Sequence, residues 1–216
     1  MTLHHFHSDT PFSLESGDVL QGIDIAFHTW GKLNAQKSNV IWVCHALTGS
    51  ADMEAWWPGL MGSGKALDPD THFIICANTL GSPYGSTSPQ SLNPTTRQPW
   101  LLTFPRLSIR DMVRAHMLLA DALGITRIAL LTGGSMGGQQ ALEWAVMQPE
   151  RIGQLALLAT NAVSSPWSIA FNESQRLAMQ ADKTFDGENP AGGADGLKAA
   201  RSIALLSYRC FHAYQQ

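Results

Sequence analysis

Charge is sparse in this chain. Only 14% of its 216 residues are Asp, Glu, Lys or Arg, the formal net charge is −3, and no cluster of lysine or arginine occurs. A polyanion needs a basic face, so nucleic acid is not an expected partner. Cysteine is scarce too: Cys44, Cys76 and Cys210 form an odd set of three without Cys-x-x-Cys spacing. That argues against a disulfide framework or a thiolate metal site, and Cys44 and Cys76, inside apolar runs, read as buried free thiols. His4, His5 and His7 lack a supporting ligand framework and read as part of a solvated, frayed terminus rather than a metal site. The sequence shows neither a zinc ligand set nor a dinucleotide fingerprint, so no metal or redox cofactor is expected. No basic and then apolar leader is visible in Met1–Asp9, which makes the cytoplasm the default expectation. The longest uncharged stretch, Ile152–Asn172, is interrupted by Asn161, Ser164, Ser165 and Pro166. It reads as a buried strand followed by a loop, and no membrane span is expected.

What remains is a chain that is 44% hydrophobic and long enough for one sizeable core. Phe12–Trp30 carries Gly17-Asp18 and Gly22 between alternating segments, with Ile23, Ile25 and Phe27 on one face, which predicts an antiparallel hairpin opening a sheet. Val40–Cys44 and Phe73–Ala77 are continuous apolar runs, the pattern of strands buried on both faces of a mostly parallel sheet. Ser108 is placed to cap a helix in which Ile109, Met112, Val113, His116, Ala120 and Leu123 follow helical spacing until Gly124 stops it. His116 lies on that apolar stripe and reads as a packed, hydrogen-bonded core residue. Between Leu80 and Pro105 lies a long Gly/Pro/Ser-rich connection, expected to be a functional loop packed near a site. Glu173–Ala181 and Gly196–Tyr208 look like two helices joined by a flexible stretch from Asp186 to Gly193, as if a lid begins here.

The most informative stretch is Gly133-Gly134-Ser135-Met136-Gly137-Gly138. A strand-like run, Arg127–Thr132, precedes it, and a helix-like run, Gln139–Met147, follows. A serine between glycines in that context is a nucleophile elbow, with the hydroxyl presented at the carboxyl end of the strand. A further strand over Gln154–Ala159 completes a β-α-β alternation, which predicts an α/β-hydrolase fold with a core over 1–165 and the start of a helical lid over 166–216. His45-Ala46-Leu47-Thr48-Gly49 follows the Val40–Cys44 strand, where such a fold supplies one oxyanion-hole amide. The second comes from the residue after the nucleophile. Leu47 and Met136 are therefore the expected oxyanion donors, and His45 is expected to be a structural histidine at a strand end. A serine hydroxyl needs a base oriented by a carboxylate, in the chain order Ser, Asp or Glu, His. The single histidine after Ser135 is His212, in a segment continuing a lid-like helix, which makes it a poor base; Asp182, Asp186 and Asp195 are equally poor orienters.

With these residues in view, the chain resembles the homoserine O-acetyltransferases, a branch of the homoserine O-acyltransferases of methionine biosynthesis. The matching segments are Cys44–Gly49, Trp56–Gly59 with Gly64–Asp68, Gly81–Pro89, Ser108–Val113 and Gly133–Trp144, in order along nearly the whole chain. The resemblance implies a ping-pong transfer in which Ser135 takes an acetyl group from acetyl-CoA, a substrate rather than a cofactor, and passes it to the hydroxyl of L-homoserine. It also implies that Arg201 holds the amino-acid carboxylate, with Tyr208 nearby; positions seven apart share a helix face. A homodimer of the full-length protein follows from the same likeness. The family's triad Asp and His lie beyond the position of Gln216, so the expectation is an amino-terminal portion with no appreciable turnover alone. A succinyl donor, a serine acceptor, a serine esterase or thioesterase on the same fold, and a non-catalytic relative that binds a ligand or partner all remain open.

Overall fold

The computed structural model describes residues 2–215. Eight strands are β1 (Thr2–Ser8), β2 (Phe12–Ser13), β3 (Val19–Leu20), β4 (Ile23–Trp30), β5 (Val40–Cys44), β6 (Phe73–Ala77), β7 (Leu130–Gly134) and β8 (Leu155–Leu158). Four α-helices are α1 (Ile109–Ala122), α2 (Met136–Met147), α3 (Pro166–Gln180) and α4 (Ala194–Tyr208). Six strands form one sheet in the order β1-β4-β6-β5-β7-β8, antiparallel on the β1/β4/β6 side and parallel from β6 to β8. The chain divides into two units: one runs to Gln98 and resumes over Pro105–Ala162, and the other takes Pro99–Phe104 and the chain from Val163 onward.

In the first unit, β5 is buried at all five positions and contributes side chains to both sheet faces. Trp42 turns toward the helices, meeting Trp144 of α2 edge-on at 4.9 Å and His116 of α1 at 5.7 Å. Ile41 and Val43 turn to the other face, into a cluster with Trp30, Met53, Met61, Leu67, Ile74 and Cys76, against which Trp56 and Trp57 pack. Such alternation on a strand with two apolar faces is what a both-sides-covered sheet requires. The α1 helix starts as its sequence dictates: the Ser108 hydroxyl accepts from the Asp111 amide at 3.1 Å, and the Asp111 carboxylate accepts from the Ser108 amide at 3.0 Å. The other Asp111 oxygen accepts from the Glu15 amide, tying the β2–β3 hairpin to the helix. Lys37 closes the far end by donating to the Leu123 carbonyl at 3.0 Å.

Several expectations need correction. Thr2–Ser8 is not frayed: it is an edge strand paired with β4 over seven positions, and His4 stacks on Phe27 at 5.1 Å. The predicted Phe12–Trp30 hairpin separates into a small β2–β3 sheet and β4, whose antiparallel partners are β1 and β6. His116 is fully buried as expected, and burial drives its pKa down to about 3 against the weaker, opposing pull of the Asn78 backbone. The strand expected over Gln154–Ala159 is β8, the outer strand among the described residues, with Leu155, Leu157 and Leu158 38–42% exposed. The first lid-like helix starts at Pro166, seven residues before Glu173, because Ser165 caps it by accepting from Ser168 N and proline occupies its first position.

In the second unit, α3 and α4 pack together. Gly196, Ala200 and Ala204 are the buried residues of α4. At Gly196 a Cβ would stand 2.8 Å from Met179 Cα, so the small side chain permits the approach. Asp182, just past the end of α3, accepts from the Gly196 amide at 2.9 Å and from Thr184. Those donors hold its carboxyl down at about 2. Among the described residues no helix is long and apolar enough to cross a membrane.

Candidate active site

The elbow is built from a strained serine held by its surroundings. Ser135 has φ 54° and ψ −123°, a conformation that costs a side-chain-bearing residue about 1–3 kcal/mol and persists only when neighbours determine it. Here they do. The Ser135 amide donates to the Leu158 carbonyl at 3.0 Å, while its own carbonyl accepts from the Gly138 and Gln139 amides and from the Thr160 hydroxyl at 2.8 Å. The side chain is exposed, and Oγ bonds to nothing among the described residues.

The glycines explain how helix and strand come so close. A Cβ on Gly137 would meet the Cys44 carbonyl group, 2.7 Å from its carbon and closer still to its oxygen, and lie 2.9 Å from the His45 oxygen. One on Gly133 would stand 2.5 Å from the Gly137 carbonyl carbon and 2.9 Å from Cys44 O; one on Gly138 would strike the Thr160 methyl at 2.5 Å. Gly133 and Gly137 are needed for backbone contact, and Gly138 for the close approach of the Thr160 side chain. Gly134 differs, since its Cβ would reach Trp57 and the Leu158 oxygen at an ordinary 3.7 Å.

That close approach brings the start of α2 against the end of β5, from which the Leu47 loop leaves. The parallel register pairs Cys44 with Gly133, so the loop after β5 emerges next to the elbow. In this loop the Gly49 amide donates to the Ala46 carbonyl at 2.8 Å, closing a turn whose second residue is Leu47. The Leu47 amide has no acceptor among the described residues, and its side chain is 74% exposed. Met136 is the first residue of α2, so its amide lies outside the helix's own ladder at the positive end of the helix dipole. An exposed hydroxyl followed by an unpaired helix N-terminal amide, with a second unpaired amide on the loop after β5, is the donor set that a developing oxyanion requires.

Arg201 and Tyr208 lie on α4 in the second unit. Arg201 is half-buried and has no carboxylate partner among the described residues; Tyr208, the last residue of α4, is 62% exposed. His212 sits in a short 3-10 turn, Phe211–Tyr214. Of the long connection after Leu80, Gly85–Ser88 packs on β4, with Asp24 N donating to Thr87 Oγ1 at 2.8 Å and Thr87 N to Asp24 O at 2.9 Å. It lines a cavity of about 320 Å³ with His5 and Asp24, to which the elbow contributes no residue.

Of the groups that hold the donor loop, His45 was expected as a structural histidine, whereas Asn78 and Thr79 were not found from the sequence. His45 is buried; Nδ1 lies 2.8 Å from the Ala46 oxygen, and Nε2 receives the Thr79 amide at 2.9 Å. Asn78 accepts from Ala51 N at 2.7 Å and donates to Tyr84 O at 2.8 Å, binding this loop to the next. The signal available was polar residues, Asn78-Thr79, directly after an apolar strand.

The model of the alpha/beta hydrolase fold matches residues 39–211. A homoserine O-acetyltransferase of Chlorobaculum tepidum is 48% identical over all of this chain and 61% of its own length. One of Nostoc punctiforme is 46% identical over 94% of this chain and 58% of its own. The chain thus spans about three fifths of the length of the curated relatives it matches. Among solved structures, homoserine O-acetyltransferase from Bacillus anthracis superposes with a TM-score of 0.93 at 26% identity, over 99% of this chain and 62% of that one. An acetylester hydrolase from Corynebacterium glutamicum superposes at 0.90 with 30% identity, over 100% and 61%. Fold, elbow and relatives agree: the chain belongs to the alpha/beta hydrolase fold family.

Proposed function

We propose that this chain carries the nucleophile and oxyanion half of a homoserine O-acetyltransferase acting in methionine biosynthesis. The observation that carries the reading is the pinned, positive-φ Ser135 with an unengaged hydroxyl at the start of α2, in a chain 46–48% identical to proteins of that name. Ser135 Oγ attacks the thioester carbonyl of acetyl-CoA, and the Leu47 and Met136 amides hold the oxyanion. The C–S bond breaks, the CoA thiol leaves with a proton, and the acetyl group rests on Ser135 as an ester. The hydroxyl of L-homoserine then attacks that ester, and Ser135 regains its proton. In this reading an imidazole and a carboxylate that activate Ser135 come from the share of the relatives' length that this chain does not span. Arg201 grips the homoserine carboxylate in bidentate fashion, and Tyr208 stands on the same helix face. Acetyl-CoA and homoserine are both substrates, and no bound cofactor takes part.

The likeness to an acetylester hydrolase favours a second reading, hydrolysis of an acetyl ester by the same elbow. Measuring CoA release by the product of the complete native gene, with and without homoserine, separates the two. Release that depends on homoserine and disappears in Ser135→Ala supports transfer. Release indifferent to homoserine supports hydrolysis, and release that survives Ser135→Ala refutes both.

A further inference from the structure

We infer that His45 is a positioning residue of the oxyanion hole, a neutral imidazole of fixed tautomer that aims the Leu47 amide and links it through Thr79 and Gln140 to the elbow. The inference rests on the acyl-transfer reading of Ser135, Leu47 and Met136. Its logic is one of donors and acceptors. The Ala46 carbonyl can only accept, so the 2.8 Å contact places a proton on His45 Nδ1. The Thr79 amide can only donate, so its 2.9 Å bond requires a bare lone pair on Nε2. Both conditions hold for one form alone, the neutral Nδ1–H tautomer. A protonated ring would set two donors face to face at Nε2. Burial acts in the same direction, holding the pKa of His45 below its ordinary 6.5.

The bonded Ala46 oxygen is the pivot of the turn that presents Leu47. It accepts from His45 Nδ1 and from the Gly49 amide, so two donors fix the plane of the peptide whose nitrogen belongs to Leu47. Rotation of that plane would turn the Leu47 N–H away, and the Nδ1 donor resists the rotation. On the other side, Thr79 Oγ1 lies 3.1 Å from Nε2 and 3.4 Å from Gln140 Oε1. The Gln140 amide nitrogen reaches both the His45 oxygen and the Met136 oxygen, each at a long 3.4 Å. Gln140 is fully buried on α2. The loop of one oxyanion donor and the helix turn of the other are therefore spanned by a single side chain, and neither His45 nor Gln140 is required by the sheet itself.

The test uses the product of the complete native gene, with rates expressed per Ser135 site titrated by an acyl-enzyme burst, so that misfolded molecules do not count. Since removing one oxyanion donor slows turnover by about 10²–10³-fold, misaiming it in His45→Ala is expected to cost about 10–100-fold in kcat. The KM for acetyl-CoA should stay within a factor of about two, because the loss falls on the transition state and not on binding. Acylation and deacylation should slow alike, since the same amides serve both tetrahedral intermediates. His45→Asn, which can keep a donor toward Ala46, should recover part of the rate. Nitrogen NMR of the unsubstituted protein at neutral pH should show His45 protonated at Nδ1 only, with the ring titrating below its ordinary range. A proton on Nε2, titration of the ring near its ordinary value, or unaltered per-site rates in both variants overturns the inference. Turnover that survives Ser135→Ala overturns the underlying acyl-transfer reading and this inference with it. Loss in Ser135→Ala with intact per-site rates in the His45 variants overturns the inference alone.

Discussion

Adding one methyl group at Gly137 should damage this protein far more than adding the same group three residues earlier. In Gly137→Ala the new carbon falls 2.7 Å from the Cys44 carbonyl carbon and 2.9 Å from the His45 oxygen, both backbone atoms that no side-chain rotation can clear. Relief requires α2 to withdraw from the end of β5, opening the contact that sets Met136 beside the Leu47 loop. Overpacking a tight interior usually costs about 1–3 kcal/mol, and a clash with fixed backbone on this scale belongs at or above the upper end. Gly134→Ala is the matched control: its Cβ meets neighbours at 3.7 Å, and its φ is not in the left-handed region. Its effect should lie within about 1 kcal/mol of the parent, of either sign. Urea unfolding followed by circular dichroism reads both. Thermal midpoints should separate by about 4–12 °C, at roughly 2–4 °C per kcal/mol for a chain of this size. Equal stabilities for the two variants would refute the claim that close backbone approach is what the Gly137 position requires.

Acid should weaken the core through His116. Its folded pKa of about 3 lies below the ordinary 6.5, so the unfolded chain binds the proton first and stability falls with falling pH from about 6.5 toward 3. At about pH 5 the loss should approach 2 kcal/mol, and His116→Leu should flatten that part of the stability–pH curve relative to the parent. Asp111→Ala removes the acceptor for both Ser108 and Glu15 amides; a loss of about 1–2 kcal/mol in urea unfolding is expected, with faster proteolysis of the β2–β3 hairpin that Asp111 anchors.

How much of this was legible depended on whether a feature was local. The β5 and β6 strands announced themselves as apolar runs, α1 by a serine cap and a glycine stop, and the elbow by its glycines, because each signal fits within one element. β1 did not. Thr2–Ser8 has three histidines and little apolar area, and its strand character comes from the β4 backbone that it pairs with some twenty residues later. For β8, Leu-Ala-Leu-Leu has the composition of a doubly buried strand, but a four-residue run carries no sign of the strand order that decides how much of it is covered. At the proposed site, the Leu47 and Met136 contributions are backbone amides that any side chain could carry, so only position in the chain singles them out. The partners of His45 lie 34 residues away at Thr79 and 95 away at Gln140, separations that periodicity does not report.

The central claim is that Ser135 is an acyl-carrying nucleophile, and trapping its ester tests this most directly. The complete native gene product would be mixed with acetyl-CoA without homoserine, quenched in acid, and mapped by peptide mass spectrometry. An acetyl group on the Ser135 peptide that vanishes on adding homoserine, with acetylated homoserine appearing in equal amount, is the result expected. Homoserine acetylation by the Ser135→Ala protein, or an acetyl group found on a different residue that discharges to homoserine, would contradict the account.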